Sequence, residues 1–151
     1  MTPWTPEGSP LPPAPRPRVL LIDDDEAVLS VLAEYLQAAG YPVATATNAR
    51  DTTVLLAEEE PYDVVVLDWS LPDIPARDLM RLLREMLPDA ALIVTTGHGP
   101  DTVHNDLSTL GIHSVLRKPY SMRLVRKAVD AAWADRGPPA ETLSSLALDG
   151  V

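Results

Sequence analysis

The sequence predicts an α/β domain built on a doubly wound, five-stranded parallel sheet. Two observations carry this. Three short apolar runs are continuous instead of alternating, as strands buried on both faces require. Segments with helical periodicity fall between them, so strand and helix alternate along the chain. Right-handed crossovers then place helices on both faces of one sheet.

The elements follow in order. Residues 19–22 form the first strand. Val28, Val31, Leu32, Tyr35 and Leu36 recur at helical spacing, and Gly40 stands where a C-terminal cap belongs. Residues 41–45 make a weaker strand. Asn48 caps a second helix that reaches about residue 59, with Pro61 beyond it. Residues 64–67 are the most buried-looking strand. A loop with Pro72 and Pro75 leads to a third helix over 78–86. Residues 91–95 form the fourth strand, broken by Gly97-His98-Gly99-Pro100. Val103, Leu107 and Leu110 mark a fourth helix with a thin apolar stripe, ending at Gly111. Residues 114–116 make the fifth strand. Ser121 caps the last helix, which carries Leu124, Val125, Ala128, Val129 and Ala132 on its apolar face and runs to about residue 134.

Composition narrows the function. The 151 residues carry 22 acids against 12 bases, a net charge of −10, which disfavours a phosphate-backbone partner. There is no cysteine, hence no disulfide and no thiolate metal site. Seven of the 16 prolines fall in residues 1–17, which read as a proline-rich disordered tail. Residues 18–136 are the folded domain, and 137–151, opened by Gly137-Pro138-Pro139, are a short C-terminal tail. Residues 1–17 lack the basic start and apolar stretch of a secretory signal. No apolar run approaches the ~20 residues of a membrane span.

In doubly wound sheets, function gathers beyond the carboxyl ends of the strands. Asp23, Asp24 and Asp25 follow the first strand, Asp68 the third, Thr95 and Thr96 end the fourth, and Lys118-Pro119 follow the fifth. Carboxylates brought together repel one another, and a divalent cation relieves the repulsion. An all-oxygen set suits Mg²⁺. Carboxylate, Mg²⁺, lysine and hydroxyl together fit phosphoryl transfer, where positioning and charge neutralisation dominate. Read singly, Asp25 is a helix cap, His98 a loop histidine, and Trp69 and Tyr120 packing residues.

Leu21-Ile22-Asp23-Asp24-Asp25, Val65-Val66-Leu67-Asp68-Trp69-Ser70-Leu71-Pro72, Val94-Thr95-Thr96-Gly97-His98-Gly99 and Lys118-Pro119 resemble the receiver domains of two-component response regulators. The resemblance covers about residues 18–136. It implies a flavodoxin-like (βα)5 fold with strand order 2-1-3-4-5. It implies that Asp68 accepts a phosphoryl group from a phosphohistidine on a sensor histidine kinase or histidine phosphotransfer protein. Asp24 would hold Mg²⁺ directly and Asp23 through water, with Asp68 and the backbone carbonyl of Ser70 completing the protein ligands. Thr96 matches the switch hydroxyl, Lys118 the lysine that pairs with Asp68 and then the phosphoryl group, and Pro119 the cis-proline. His98 lies where it would modulate attack by water on the acyl phosphate. A cytoplasmic signalling protein is implied, one that catalyses only its own phosphorylation and dephosphorylation.

Three positions depart from that pattern. Val115 stands where receivers usually carry Tyr or Phe, and a β-branched residue cannot swing a ring between buried and exposed states. Switching is therefore expected to run through Thr96 and its loop. Pro75 and Ala76 replace the usual helix cap and glycine, so a shifted loop is expected. The thin fourth helix is the third departure. With only a short tail after the last helix, a stand-alone receiver is expected, read by protein partners through helix four, strand five and helix five, where Arg117, Arg123, Arg126 and Lys127 gather positive charge. Two other readings stand beside it: an unphosphorylated pseudo-receiver, and a phosphohydrolase with an Asp nucleophile. The intact Asp24, Asp68, Thr96 and Lys118 argue against the first. Ser70, where such hydrolases carry a second Asp, and the lack of a cap domain argue against the second.

Overall fold

A computed structural model describes residues 16–58, 60–97 and 111–136. The chain runs β1 (Val19–Ile22), α1 (Glu26–Ala38), β2 (Val43–Ala46), α2 (Ala49–Leu56), β3 (Val64–Asp68), α3 (Ala76–Met86), β4 (Ala91–Thr96), β5 (Ile112–Arg117) and α4 (Met122–Arg136). The five strands are all parallel, in the order β2-β1-β3-β4-β5. Here α4 is the fifth helix of the sequence count. The helix expected over 101–110 lies outside the described residues, as do His98 and the tails at 1–15 and 137–151.

The continuous apolar strands bury both faces, and their period of two sorts the core. Leu20, Ile22, Val65, Leu67, Leu92 and Val94 meet Leu79, Met80 and Leu83 of α3. Val19, Leu21, Val64, Val66 and Ile93 meet Leu29, Leu32 and Leu36 of α1 and Val125 and Val129 of α4. Each fully buried Leu or Val contributes roughly 1.5–3 kcal/mol relative to exposure.

Local chemistry sets the helix ends. Asp25 caps α1 by accepting from the Val28 amide at 3.2 Å. At its other end Gly40 has φ +96, which its missing Cβ permits, and the Gly40 and Tyr41 amides donate back to Gln37 and Leu36 carbonyls. Asn48 caps α2 through the Asp51 amide at 2.7 Å, and Ser121 caps α4 through the Leu124 amide at 3.0 Å. By contrast, α3 starts at Ala76, two residues earlier than expected. Pro75 precedes it with no side-chain cap, its fixed φ substituting for one. β5 is longer than the apolar run at 114–116 because Ile112 pairs with Leu92 across a register shift.

Candidate functional site

The carboxyl ends of β1, β3, β4 and β5 bring together residues far apart in sequence. Asp68 is the last residue of β3 and Thr95 is its register partner on β4. The Trp69 amide donates to the Thr95 carbonyl at 2.9 Å, and the Lys118 amide to the Thr96 carbonyl at 2.8 Å. Asp23 follows β1, and its amide donates to the Ala46 carbonyl at 3.1 Å. Backbone ladders therefore deliver every side chain of the site.

Asp23 and Asp68 are buried, at 4% and 2% exposure, as is Thr96. The Lys118 Nζ lies 3.2 Å from Asp23 Oδ2 and 3.3 Å from Asp68 Oδ2. The sequence reading paired this lysine with Asp68; the structure shows it shared between two acids. The other oxygens are engaged by backbone: Asp23 Oδ1 accepts from the Asp25 amide at 2.9 Å, and Asp68 Oδ1 from the Ser70 amide at 3.1 Å. Burial pushes the Asp68 carboxyl above the ordinary range; the Ser70 amide opposes this, the Asp23 charge adds to it, and Lys118 draws it down. Burial lowers the Lys118 ammonium, but the charges and hydrogen bonds of Asp68 and Asp23 outweigh it and hold its pKa above the usual value.

Asp24 is exposed, yet one oxygen from each of Asp23, Asp24 and Asp68 falls within 4.8 Å of the others. Three acids against one ammonium leave two negative charges in a small oxygen-lined space. That donor set fits a hard divalent cation, Mg²⁺ above all. Ser70 is exposed at the rim of this space, two residues beyond Asp68. A recess of about 390 Å³ lined by Asp25, Val28, Lys118, Pro119 and Tyr120 opens beside the ammonium. The Lys118–Pro119 bond is cis, as the resemblance implied.

Trp69 and Tyr120 are half-buried and pack against the two core clusters, and Tyr120 also lines the recess beside Lys118. Val115 is half-buried against the α3 side of the sheet. The basic residues lie on β5 and α4, the last helix, where the sequence places them. Arg123, Arg126 and Lys127 line a groove of about 600 Å³ with Tyr35 of α1, because residues spaced three and four apart share a helix face. Only Arg117 remains on β5. Arg126 also lies over the Tyr41 ring at 5.8 Å, and the Tyr41 hydroxyl donates to Asp130.

Sequence reasoning missed Asp73. Its carboxylate accepts from the Ala49 amide at 3.0 and 2.9 Å and the Arg50 amide at 3.2 Å, joining the loop after Asp68 to α2. Its partners are backbone groups, so nothing in the residue types signals the contact.

Comparison with known proteins points one way. The profile for the response regulator receiver domain matches residues 19–130. The chain is 31% identical over 123 residues to the photosynthetic apparatus regulatory protein RegA of Cereibacter sphaeroides, covering 82% of this chain and 66% of RegA. It is 36% identical over 103 residues to the C4-dicarboxylate transport transcriptional regulatory protein DctD of Pseudomonas aeruginosa, covering 68% of this chain and 22% of DctD. The crystal structure of a CheY-like receiver domain protein from Methanospirillum hungatei superposes with a TM-score of 0.74 at 22% identity. That match covers 81% of this chain and 97% of the other. The chain thus spans less than two thirds of these curated relatives.

Proposed function

Because the chain belongs to the response regulator receiver domain family, we propose that Asp68 accepts a phosphoryl group from a phosphohistidine of a partner sensor kinase or histidine phosphotransfer protein. The observation that carries this reading is the Asp23–Lys118–Asp68 arrangement, two buried acids facing one shared ammonium.

The chemistry follows from the geometry. An Asp68 carboxylate oxygen attacks phosphorus, the P–N bond breaks, and the imidazole leaves as an acyl phosphate forms. Lys118 favours the ionised form of Asp68 against the burial that disfavours it. It is already within reach of the oxygen that carries the phosphoryl group afterwards, where its charge offsets the new negative charge. Asp23, Asp24 and Asp68 would hold Mg²⁺, with the Ser70 carbonyl as a further ligand. The ion supplies charge neutralisation between the acids and the incoming phosphoryl oxygens. The recess beside Lys118 gives the donor side chain room to approach.

The same frame supports switching. Thr96 is buried and its carbonyl holds the Lys118 amide, so a displacement of Thr96 toward a phosphoryl oxygen is transmitted to β5 through the backbone. Phosphorylation then alters a surface that includes β5 and α4, read by a protein target in the cytoplasm. Val115 supports a switch without an aromatic rotamer change. The protein's catalysis is confined to its own phosphorylation and dephosphorylation.

Incubation with Mg²⁺ and acetyl phosphate followed by intact-mass measurement tests the proposal. The wild type should gain one phosphoryl group and Asp68→Asn none. A wild type that gains nothing favours an unphosphorylated interaction module, and continued hydrolysis of a phosphoester favours a phosphohydrolase.

A further inference from the structure

We propose that Asp73 is a positioning residue for the metal and phosphoryl site, holding the loop that carries Ser70 in place by gripping the start of α2. This rests on the function proposed above and adds a residue to it.

The first turn of a helix presents amides with no partner inside the helix. In α2, Asn48 takes the Asp51 amide. The Ala49 and Arg50 amides are taken by the carboxylate of Asp73, which reaches back across 24 and 23 positions of chain. An anion on such amides meets both hydrogen bonds and the positive end of the helix dipole. The Ala49 amide, with the Arg50 amide behind it, holds the Asp73 carboxyl below the ordinary range, so the group is a carboxylate at neutral pH.

Asp73 stands two residues before Pro75, which precedes α3, yet α3 has no side-chain cap. The one acid in the loop is committed to a neighbouring helix instead of the helix it leads into. Pro72 and Pro75 flank it and fix φ on both sides, and Leu71 and Ile74 rest on the core. A stiff loop pinned at Asp73 constrains Ser70, three residues away, whose amide bonds Asp68 and whose carbonyl is the proposed ligand. Releasing Asp73 therefore loosens the metal site as well as the end of α2. Groups that orient metal ligands typically change metal affinity about 10- to 100-fold when removed.

The experiment compares Asp73→Ala with Asn48→Ala, since both remove a cap from α2 and only the first touches the loop. Each full-length protein is titrated with MgCl2 while the Ser70 amide and Trp69 indole resonances are followed, and thermal unfolding is measured alongside. Asp73→Ala should weaken Mg²⁺ binding about tenfold, while Asn48→Ala leaves it within about twofold at a similar loss of thermal stability. Asp73→Asn keeps one acceptor oxygen and should recover part of the affinity. If the wild type responds to Mg²⁺ but the two alanine variants have equal affinities, the role given to Asp73 is wrong while the proposed function stands. If the wild type shows no response, both fail.

Discussion

The two ends of the sheet handle charge in opposite ways. At the amino end, Arg18 bonds the Glu60 carboxylate at 3.1 Å and carbonyl at 2.8 Å, lies 3.7 Å from Glu58, and covers the Tyr62 ring at 4.5 Å. Its amide donates to Asp63 Oδ2 at 2.8 Å, and the Asp63 amide returns a bond to its carbonyl. There the cation has more partners than it needs. At the carboxyl end two buried acids share one ammonium, a third acid stands nearby, and Asp68 is pushed up. The first arrangement holds strands together. The second leaves negative charge unbalanced, the condition under which a bound cation is favoured.

If this contrast is right, Asp68→Asn should separate function from stability most sharply. Phosphoryl incorporation, read by intact mass, should vanish. In Mg²⁺-free buffer the variant should be more stable than wild type in urea unfolding, since burial and the Asp23 charge hold the Asp68 carboxyl above its ordinary range. Mg²⁺ should come next: at about a hundred times its Kd it should stabilise the wild type by about 2.7 kcal/mol. Asp24→Asn should lose much of that gain. Arg18→Ala should do the reverse of Asp68→Asn, losing about 1–2 kcal/mol of stability while keeping phosphoryl incorporation and the full Mg²⁺ effect. The smallest effect is in pH. Because the folded-state pKa of Asp68 is raised, folding takes up a proton between the ordinary carboxylate range and that raised value. Mg²⁺-free stability should therefore fall as pH rises through this window. The slope should be absent in Asp68→Asn; the same slope in both proteins would remove Asp68 from the account.

Much of the fold and of the site is legible in the sequence. The apolar runs at 19–22 and 64–67 announced strands buried on both faces, and strand ends bearing Asp23, Asp68, Thr96 and Lys118 announced a shared edge. What stayed hidden depends on geometry between distant segments. The sequence marks the start of α3 late because Pro75, a residue with no capping side chain, stands at its N-cap. The sequence places Arg123, Arg126 and Lys127 on the last helix, but only packing shows that they share a groove with Tyr35 of α1. Asp73 and Arg18 gave no signal because their partners include backbone groups, which every residue carries.

The spacing of the site has a consequence in time. Lys118 bonds an acid 95 positions before it, and contacts of that separation are slow to form. A chain made from its amino end exposes Asp23, Asp24, Asp68 and Thr96 well before Lys118. Until β5 seats beside β4, those acids have no ammonium. The shared-ammonium arrangement of Asp23, Lys118 and Asp68 is therefore completed only when β5 is in place.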